Sequence, residues 1–160
     1  RLVREMPRDE AYLEVGTLEG RTLEAAAHGN VGKHILAADH CEKYKRVPLP
    51  VSGARFFAAP FTQLTTEIIG APVGVAFYDA DHSVEATRDF VTFIEPLLAD
   101  RAVLVFDDWD RVTVRTGVRL VAQQAPLQLL REFFEYTDGH APPNHFGFYF
   151  GVSLWTYQRQ

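Results

Sequence analysis

The sequence has little of what several large classes of protein require. Of its 160 residues only Cys41 is a cysteine, so no disulfide can form within the chain. No apolar run approaches the roughly 18–20 residues that cross a bilayer, and no secretory signal peptide is visible. These absences predict a cytoplasmic protein without a membrane partner. Cys41 also lacks the Cys/His pattern of a nucleophile.

Positive charge is scarce as well. The chain has 16 Lys and Arg against 21 Asp and Glu, for a formal net charge of −5. Arg111, Arg115 and Arg119 recur at helical spacing, but we interpret them as a solvated helix face, since no wider basic stripe accompanies them. The excess negative charge would oppose docking on phosphate-rich polymers. We therefore expect no nucleic-acid partner.

Length and composition favour one globular domain. Hydrophobic residues make up 47% of the chain, enough for a layered core, and residues 1–160 suit a single domain. The chain begins at Arg1 and a strand pattern follows almost at once, so we expect N-terminal helices to be missing from it. Assembly into a homo-oligomer is left open.

Short apolar runs alternate with helical patterns along the chain. Strands are predicted at 12–15, 34–38, 55–59, 73–78, 102–106, 127–136 and 146–157, and helices at 21–28, 61–69, 84–98 and 112–124. Pro96 should end or kink the third helix. The alternation predicts an α/β, Rossmann-like three-layer sandwich with a mostly parallel seven-stranded sheet. We expect an antiparallel C-terminal strand, with one antiparallel partner at the edge.

A glycine turn joins the first strand to the first helix. Gly16 permits a sharp turn at the strand end, and Gly20 lets a ligand approach the N–H groups that open the helix. Asp39, at the end of the second strand, is suited to accept hydrogen bonds from both ribose hydroxyls of a nucleoside. Glu14 suits a cationic ligand end, not a pyrophosphate. The alternative is that Glu14 supports the turn and Asp39 is a surface residue.

Carboxylates follow two further strands. Asp79 ends the fourth strand, and Asp107 and Asp108 end the fifth. Parallel neighbours deliver these ends to one crevice, where three carboxylates would repel each other unless a cation were bound. Oxygen ligands suit Mg²⁺. Alternatively, Asp108 caps the following helix.

Several histidines lie near this second site in sequence. His82, three residues after Asp79, could take a proton from a substrate hydroxyl, and Asp81 is a second proton acceptor. The alternatives are that His82 is a structural histidine and that Asp81 caps the next helix. His140 and His145 are weaker candidates for substrate contact.

The motifs together resemble a known family. The run Leu13–Thr22 reads Leu-Glu-Val-Gly-Thr-x-x-Gly-x-Thr and resembles the first motif of class I S-adenosylmethionine-dependent methyltransferases. Residues 78–85 and 105–109 resemble the D-G-D-H-S-Y-E and D-D-Y/W segments of small bacterial methyltransferases, relatives of the macrocin-type and catechol-type O-methyltransferases. The resemblance spans residues 11–155.

The resemblance implies S-adenosylmethionine as cofactor, Mg²⁺ as a metal, and O-methylation of a small-molecule acceptor. His82 would occupy the position of the lysine base in catechol-type enzymes. The implied metal ligands are Asp79, Asp107 and Asp108, and the implied cofactor residues are Glu14, Gly16, Thr17, Gly20, Thr22, Asp39 and Asp79.

The chain departs from the family pattern at three places. Leu18 replaces the middle glycine of the first motif, Ala80 replaces another glycine, and no acidic residue follows the third strand at 57–61. These departures leave two alternatives open, a non-catalytic nucleoside-cofactor-binding module and an NAD-dependent oxidoreductase. Glu14 and the absence of a catalytic domain disfavour the oxidoreductase.

Overall fold

A computed structural model of the chain describes residues 1–40, 51–136 and 149–159. The strands are β1 Ala11–Val15, β2 His34–Ala38, β3 Arg55–Phe57, β4 Val73–Tyr78, β5 Leu98–Phe106, β6 Leu127–Tyr136 and β7 Tyr149–Gln158. The α-helices are α1 Leu2–Glu5, α2 Arg21–Ala27, α3 Thr66–Ile69, α4 Val84–Ile94 and α5 Val112–Ala122, with 3₁₀ turns at Phe61–Gln63 and Glu95–Leu97. Cys41, His140 and His145 lie outside the described residues.

The strands form one seven-stranded sheet in the order β3-β2-β1-β4-β5-β7-β6. The pairs from β3 through β5 are all parallel, and β7 is antiparallel to both β5 and β6. The predicted α/β fold with an antiparallel C-terminal strand is therefore confirmed. The closing pair also has the expected antiparallel partner at the edge: β7 lies beside β5, and β6 is the edge strand.

Alternating side chains of the strands pack into two cores. On one face Leu13, Ala76 and Leu104 pack with Phe90 of α4 and Val118 of α5. On the other face lies a smaller core, formed with α1 and α2, whose buried members include Tyr12, Leu23, Ile35 and Val75. Helices thus cover both faces of the sheet, which makes the three layers that the sequence predicts.

The element bounds differ from the predictions where local chemistry intervenes. The α4 helix ends at Ile94, not at residue 98, because Pro96 lacks an N–H and the chain tightens into a 3₁₀ turn. That turn lets β5 begin at Leu98, four residues earlier than the apolar pattern indicates. The four-residue helix α1 was not predicted. Within the described ranges, no helix has the length and apolarity that a membrane span needs.

Candidate functional site

The turn between β1 and α2 depends on Gly16. Its φ is +87°, and a Cβ there would overlap the backbone carbonyl of Asp79. The Gly16 N–H donates to the carbonyl of Ala38 at 3.0 Å, and the Asp79 N–H donates to the carbonyl of Val15 at 2.9 Å. The glycine therefore lets the turn after β1 lie directly against the end of β4.

The rest of the turn is held by its own backbone and by Asp39. Leu18, which replaces a glycine of the motif, has the left-handed φ of +46°. Its N–H donates to Asp39 Oδ2 at 3.0 Å, so the carboxylate after β2 is tied to the turn. Gly20, with φ +80°, precedes α2, and its N–H donates to the Thr17 carbonyl at 2.7 Å. The turn between β1 and α2 therefore forms with Leu18 in place of the middle glycine of the motif.

Glu14 is fully buried and engages neighbouring hydroxyls. Tyr12 Oη donates to Glu14 Oε2 at 2.7 Å, and Thr22 Oγ1 donates to Oε1 at 2.9 Å. Burial raises the pKa of Glu14, and the hydroxyl donors oppose that shift. Both carboxylate oxygens have donors within the protein, so Glu14 supports the turn from beneath.

Thr17 presents the opposite situation. The residue is 4% exposed, and its Oγ1 makes no hydrogen bond of regular geometry with the described residues. The hydroxyl nevertheless lies close enough to the Glu14 carboxylate to oppose the rise of its pKa. A buried hydroxyl held this weakly can also donate to a ligand at the turn.

The acidic strand ends lie side by side, as the sequence predicts. The Asp107 N–H donates to the carbonyl of Tyr78 at 3.0 Å, which aligns the end of β5 with the end of β4. One ligand atom from each of Asp79, His82 and Asp108 lies within 4.8 Å of the other two. His82 Nε2 is 2.6 Å from Asp108 Oδ2 and 3.9 Å from Asp79 Oδ1. The histidine thus belongs to the cluster.

Asp107 lies beside this group but outside it. Its Oδ1 accepts the N–H of Asp108 at 2.9 Å, which supports the φ of +48° at Asp108. Burial raises the pKa of Asp107, and Asp108 and Asp110 add to that shift. The ligand atoms that converge most closely are therefore those of Asp79, His82 and Asp108, with the expected ligand Asp107 beside them.

The cluster carries more negative charge than its surroundings balance. Burial raises the pKa of Asp79 to about 7, and repulsion from Asp107, Asp108 and Glu14 contributes. Arg111 Nε lies 3.4 Å from Asp108 Oδ1 and opposes this shift only in part. The group fits a divalent cation, because hard oxygen donors, one imidazole nitrogen and uncompensated charge occur together.

Asp81 has a defined structural task. Its Oδ1 accepts the N–H of Ser83 at 2.7 Å, and Ser83 Oγ accepts the N–H of Ala86 at 3.1 Å at the start of α4. Hydrogen bonds from Ser83 lower the pKa of Asp81. The capping alternative thus describes the observed contacts, and a low pKa makes Asp81 a weak proton acceptor.

The segment after the acidic pair is fixed by contacts that the sequence did not reveal. Trp109 is fully buried, and its Nε1 donates to Glu132 Oε1 at 2.8 Å. Arg119 Nη2 donates to the same oxygen at 3.1 Å, and Arg115 Nη1 donates to the Trp109 carbonyl at 2.6 Å. Two of the three arginines interpreted as a solvated helix face, Arg115 and Arg119, therefore also contact the segment around Trp109, whereas Arg111 and Arg119 remain more than half exposed.

No sequence signal identified this anchor, because its partner Glu132 is far along the chain. A Cβ at Gly151 on β7 would overlap the backbone at Asp110, and the Gly151 carbonyl accepts the Trp109 N–H at 2.8 Å. In the sequence, the indication of such a close approach is Gly151, a glycine inside a predicted strand. Trp109 therefore belongs to the core.

A cavity of about 600 Å³ lies near the amino ends of the parallel strands. Its lining includes Met6, Glu10, Gly74, Arg101 and Gln128, and none of the candidate site residues. Ligands of open parallel sheets bind at the carboxyl ends of the strands. The chemistry of the motifs therefore does not belong to this cavity.

Comparisons with known proteins agree with this geometry. The family described as "Methyltransferase domain" matches residues 13–109, more than half of the chain. No curated protein matches the chain significantly.

Solved structures share the fold at low identity. The cofactor-bound Rv0187 from MTB has 17% identity and a TM-score of 0.73, with 94% of this chain and 74% of that chain covered. An O-methyltransferase from Bacillus cereus in complex with SAH has 17% identity and a TM-score of 0.63 over the same shares. The O-methyltransferase TomG from Streptomyces achromogenes, in complex with SAM, has 15% identity and a TM-score of 0.65 over 95% and 74%. The chain belongs to the methyltransferase-domain family and has the fold of the class I S-adenosylmethionine-dependent methyltransferases.

Proposed function

We propose that the chain catalyses S-adenosylmethionine-dependent O-methylation of a small-molecule hydroxyl, assisted by a divalent cation. The observation that carries this proposal is the contact between Gly16 and the Asp79 backbone. It brings the glycine turn, which suits a nucleoside cofactor, against the acidic cluster, which suits a cation. A methyl donor and a cation-bound acceptor would therefore meet at one end of the sheet.

The cofactor would bind over the turn between β1 and α2. Asp39 would bind the ribose hydroxyls, since it already lies at the turn through the Leu18 N–H. Thr17, Gly20 and the backbone between them would contact the methionine end, with the buried Thr17 Oγ1 as a hydrogen-bonding group that makes no bond of regular geometry with the described residues. Glu14 and Thr22 would hold the turn in place and supply a negative potential beneath the cationic cofactor.

The acceptor would bind beside Asp79, Asp108 and His82, with Asp107 behind them. A divalent ion held there would lower the pKa of the acceptor hydroxyl and orient it. When bound, S-adenosylmethionine would supply its methyl group for in-line transfer to the acceptor oxygen, and the electron pair of the broken carbon–sulfur bond would stay on the S-adenosylhomocysteine product. The hydroxyl proton would leave to His82 or to solvent, since the low pKa of Asp81 makes that carboxylate a weak acceptor.

Ligand-dependent thermal unfolding tests the cofactor assignment. We expect S-adenosylmethionine and S-adenosylhomocysteine to raise the Tm by several degrees, since a ligand at 100 times its Kd adds about 2.7 kcal/mol. Asp39→Ala should abolish most of that shift, whereas Asp100→Ala, at a side chain 89% exposed and outside the site, should not. A shift with NAD alone would instead identify an oxidoreductase.

Methyl transfer from labelled cofactor to a panel of hydroxylated acceptors tests the activity. We expect turnover that a chelator suppresses, and Asp79→Ala should lose it while it retains cofactor binding. Equal turnover with and without chelator would remove the cation from the proposal. Cofactor binding without transfer to any acceptor would favour the non-catalytic module.

A further inference from the structure

We infer that His82 is a direct ligand of the cation through Nε2, and that the site accordingly prefers a first-row transition ion to Mg²⁺. This inference rests on the proposed function, because it concerns the same cation site. It changes the expected donor set from three carboxylates to two carboxylates and one imidazole.

The position of Nε2 carries the inference. The atom lies 2.6 Å from Asp108 Oδ2 and 3.9 Å from Asp79 Oδ1. Adjacent ligands of an octahedral ion with bonds of about 2.1 Å are about 3 Å apart, so these spacings lie on either side of the value that a shared ion would require. The three ligand atoms of Asp79, His82 and Asp108 all lie within 4.8 Å of one another, and Asp107 is not part of this group.

The hydrogen bonding and burial of His82 Nε2 also support its role as a ligand. The atom is buried, and although it is close to Asp108 it has no hydrogen-bond partner of regular geometry among the described residues. The side chain as a whole is 33% exposed, which leaves the ring room to adjust. Two carboxylate oxygens close to one imidazole nitrogen form a donor set that a divalent cation can bridge.

The choice of ion follows from ligand chemistry. Carboxylates alone suit Mg²⁺ and Ca²⁺, whereas an imidazole nitrogen favours Fe²⁺, Co²⁺, Ni²⁺ or Zn²⁺. The affinity for first-row ions rises from Mn²⁺ to Cu²⁺, so a site with one nitrogen donor should bind Co²⁺ more tightly than Mn²⁺, and both more tightly than Mg²⁺. If Nε2 binds the ion, that atom cannot also accept the proton of the acceptor hydroxyl.

Pulsed electron paramagnetic resonance on the Mn²⁺-loaded chain tests the inference without reference to turnover. We expect ¹⁴N modulation from a directly bound imidazole, replaced by a ¹⁵N pattern when the protein is labelled with ¹⁵N-histidine. His82→Gln should abolish the modulation and weaken Co²⁺ binding at least about tenfold, since even changes in groups that only support ligands cost 10–100-fold. His28→Gln, which removes an exposed histidine after α2, should leave both unchanged. The isotope experiment needs no variant, so it still decides the matter if His82→Gln fails to fold.

The outcomes separate this inference from the function on which it rests. Saturable Mn²⁺ binding without directly coupled nitrogen would overturn the ligand role of His82 and leave an oxygen-only cation site. A Mg²⁺ affinity equal to that for Co²⁺ would overturn the selectivity. No saturable binding of Mn²⁺ or Co²⁺ would overturn both the inference and the cation in the proposed function.

Discussion

The glycine turn and the acidic cluster treat their carboxylates in opposite ways. Glu14, below the turn, is fully buried and accepts hydrogen bonds from the hydroxyls of Tyr12 and Thr22. Asp79 and Asp108, in the cluster, are partly exposed and face each other and His82. In the glycine turn, the buried carboxylate has its hydrogen-bond donors within the chain. In the acidic cluster, the negative charge of the carboxylates is only partly balanced.

The difference shows how one chain can supply hydrogen-bond donors to one buried carboxylate and leave others with unbalanced charge. Neutral hydroxyl donors compensate the burial of Glu14 with no outside partner. In the cluster, the raised pKa of Asp79 reflects burial together with repulsion from other carboxylates. Charge left unbalanced in this way favours binding of a cation over maximal stability of the empty site.

The largest expected effect comes from a substitution that breaks the contact between the glycine turn and the acidic cluster. Gly16→Ala should destabilise the protein by about 2–5 kcal/mol, because the left-handed φ costs about 1–2 kcal/mol and the overlap with the Asp79 backbone costs about 1–3 more. Gly29→Ala is the matched control: its φ is +71°, but a Cβ there meets nothing within 4 Å. Chemical denaturation measures both. Equal losses would show that the contact between the regions is unimportant.

The next effect tests whether Glu14 depends on its hydroxyl donors. Tyr12→Phe should cost about 1–3 kcal/mol, because Glu14 Oε2 is left buried without that donor. Thr116→Val is the control: its hydroxyl donates to a backbone carbonyl on an exposed part of α5. We expect less than about 0.5 kcal/mol there.

A double-mutant cycle isolates the pair. If Tyr12→Phe and Glu14→Leu, which has no acceptor, are combined, the two losses should be less than additive, since the shared hydrogen bond is removed only once. Full additivity in denaturation midpoints would mean that the two residues stabilise the turn independently.

A smaller effect concerns the acidic cluster and pH. The pKa of Asp79 is raised in the folded chain to about 7 from 3.8, so the fold favours its neutral form. Its contribution to stability is therefore complete below about pH 4 and is lost as the pH rises to about 7. With chelator present, Asp79→Asn should flatten this decline and raise the Tm near pH 8 by a few degrees, since the side chain is 38% exposed and solvent screens the repulsion.

Two controls define that result. Asp100→Asn removes the same charge at a side chain that is 89% exposed, and it should leave the slope unchanged. Adding Co²⁺ should stabilise wild type above pH 7 but not the Asp79→Asn variant. A wild-type Tm that stays level from pH 4 to pH 8 under chelation would contradict the imbalance in the cluster.

Much of the fold and part of the site could be predicted from sequence, for identifiable reasons. Buried parallel strands such as Val73–Tyr78 are nearly continuous apolar runs, and the aspartates that end them follow directly in the chain. The insertion of β7 beside β5 depends on tertiary pairing, which no local pattern encodes. The anchor of Trp109 by Glu132 joins residues 23 apart. The inclusion of His82 in the cluster depends on its rotamer, which the spacing of Asp79 and His82 leaves undetermined.

The smallest expected effects come from a strained residue in each region. Leu18, with φ +46°, and Asp108, with φ +48°, are the described non-glycine residues with positive φ. Leu18→Gly removes strain of about 1–2 kcal/mol and adds about 0.5–1 kcal/mol of chain entropy, and the side chain is 49% exposed. We expect a net stabilisation of up to about 1 kcal/mol, measured by denaturation, with cofactor binding unchanged.

Asp108→Gly relieves similar strain and also removes a repelling charge, so the chelated protein should again gain slightly in stability. Here, however, Co²⁺ binding should be lost, since Asp108 Oδ2 is the cluster oxygen closest to His82 Nε2. The two glycine variants therefore have matched stabilities and opposite consequences for ligands. If Asp108→Gly retained Co²⁺ at wild-type affinity, the strain at Asp108 would have no part in the site, and the contrast between the two regions would reduce to burial alone.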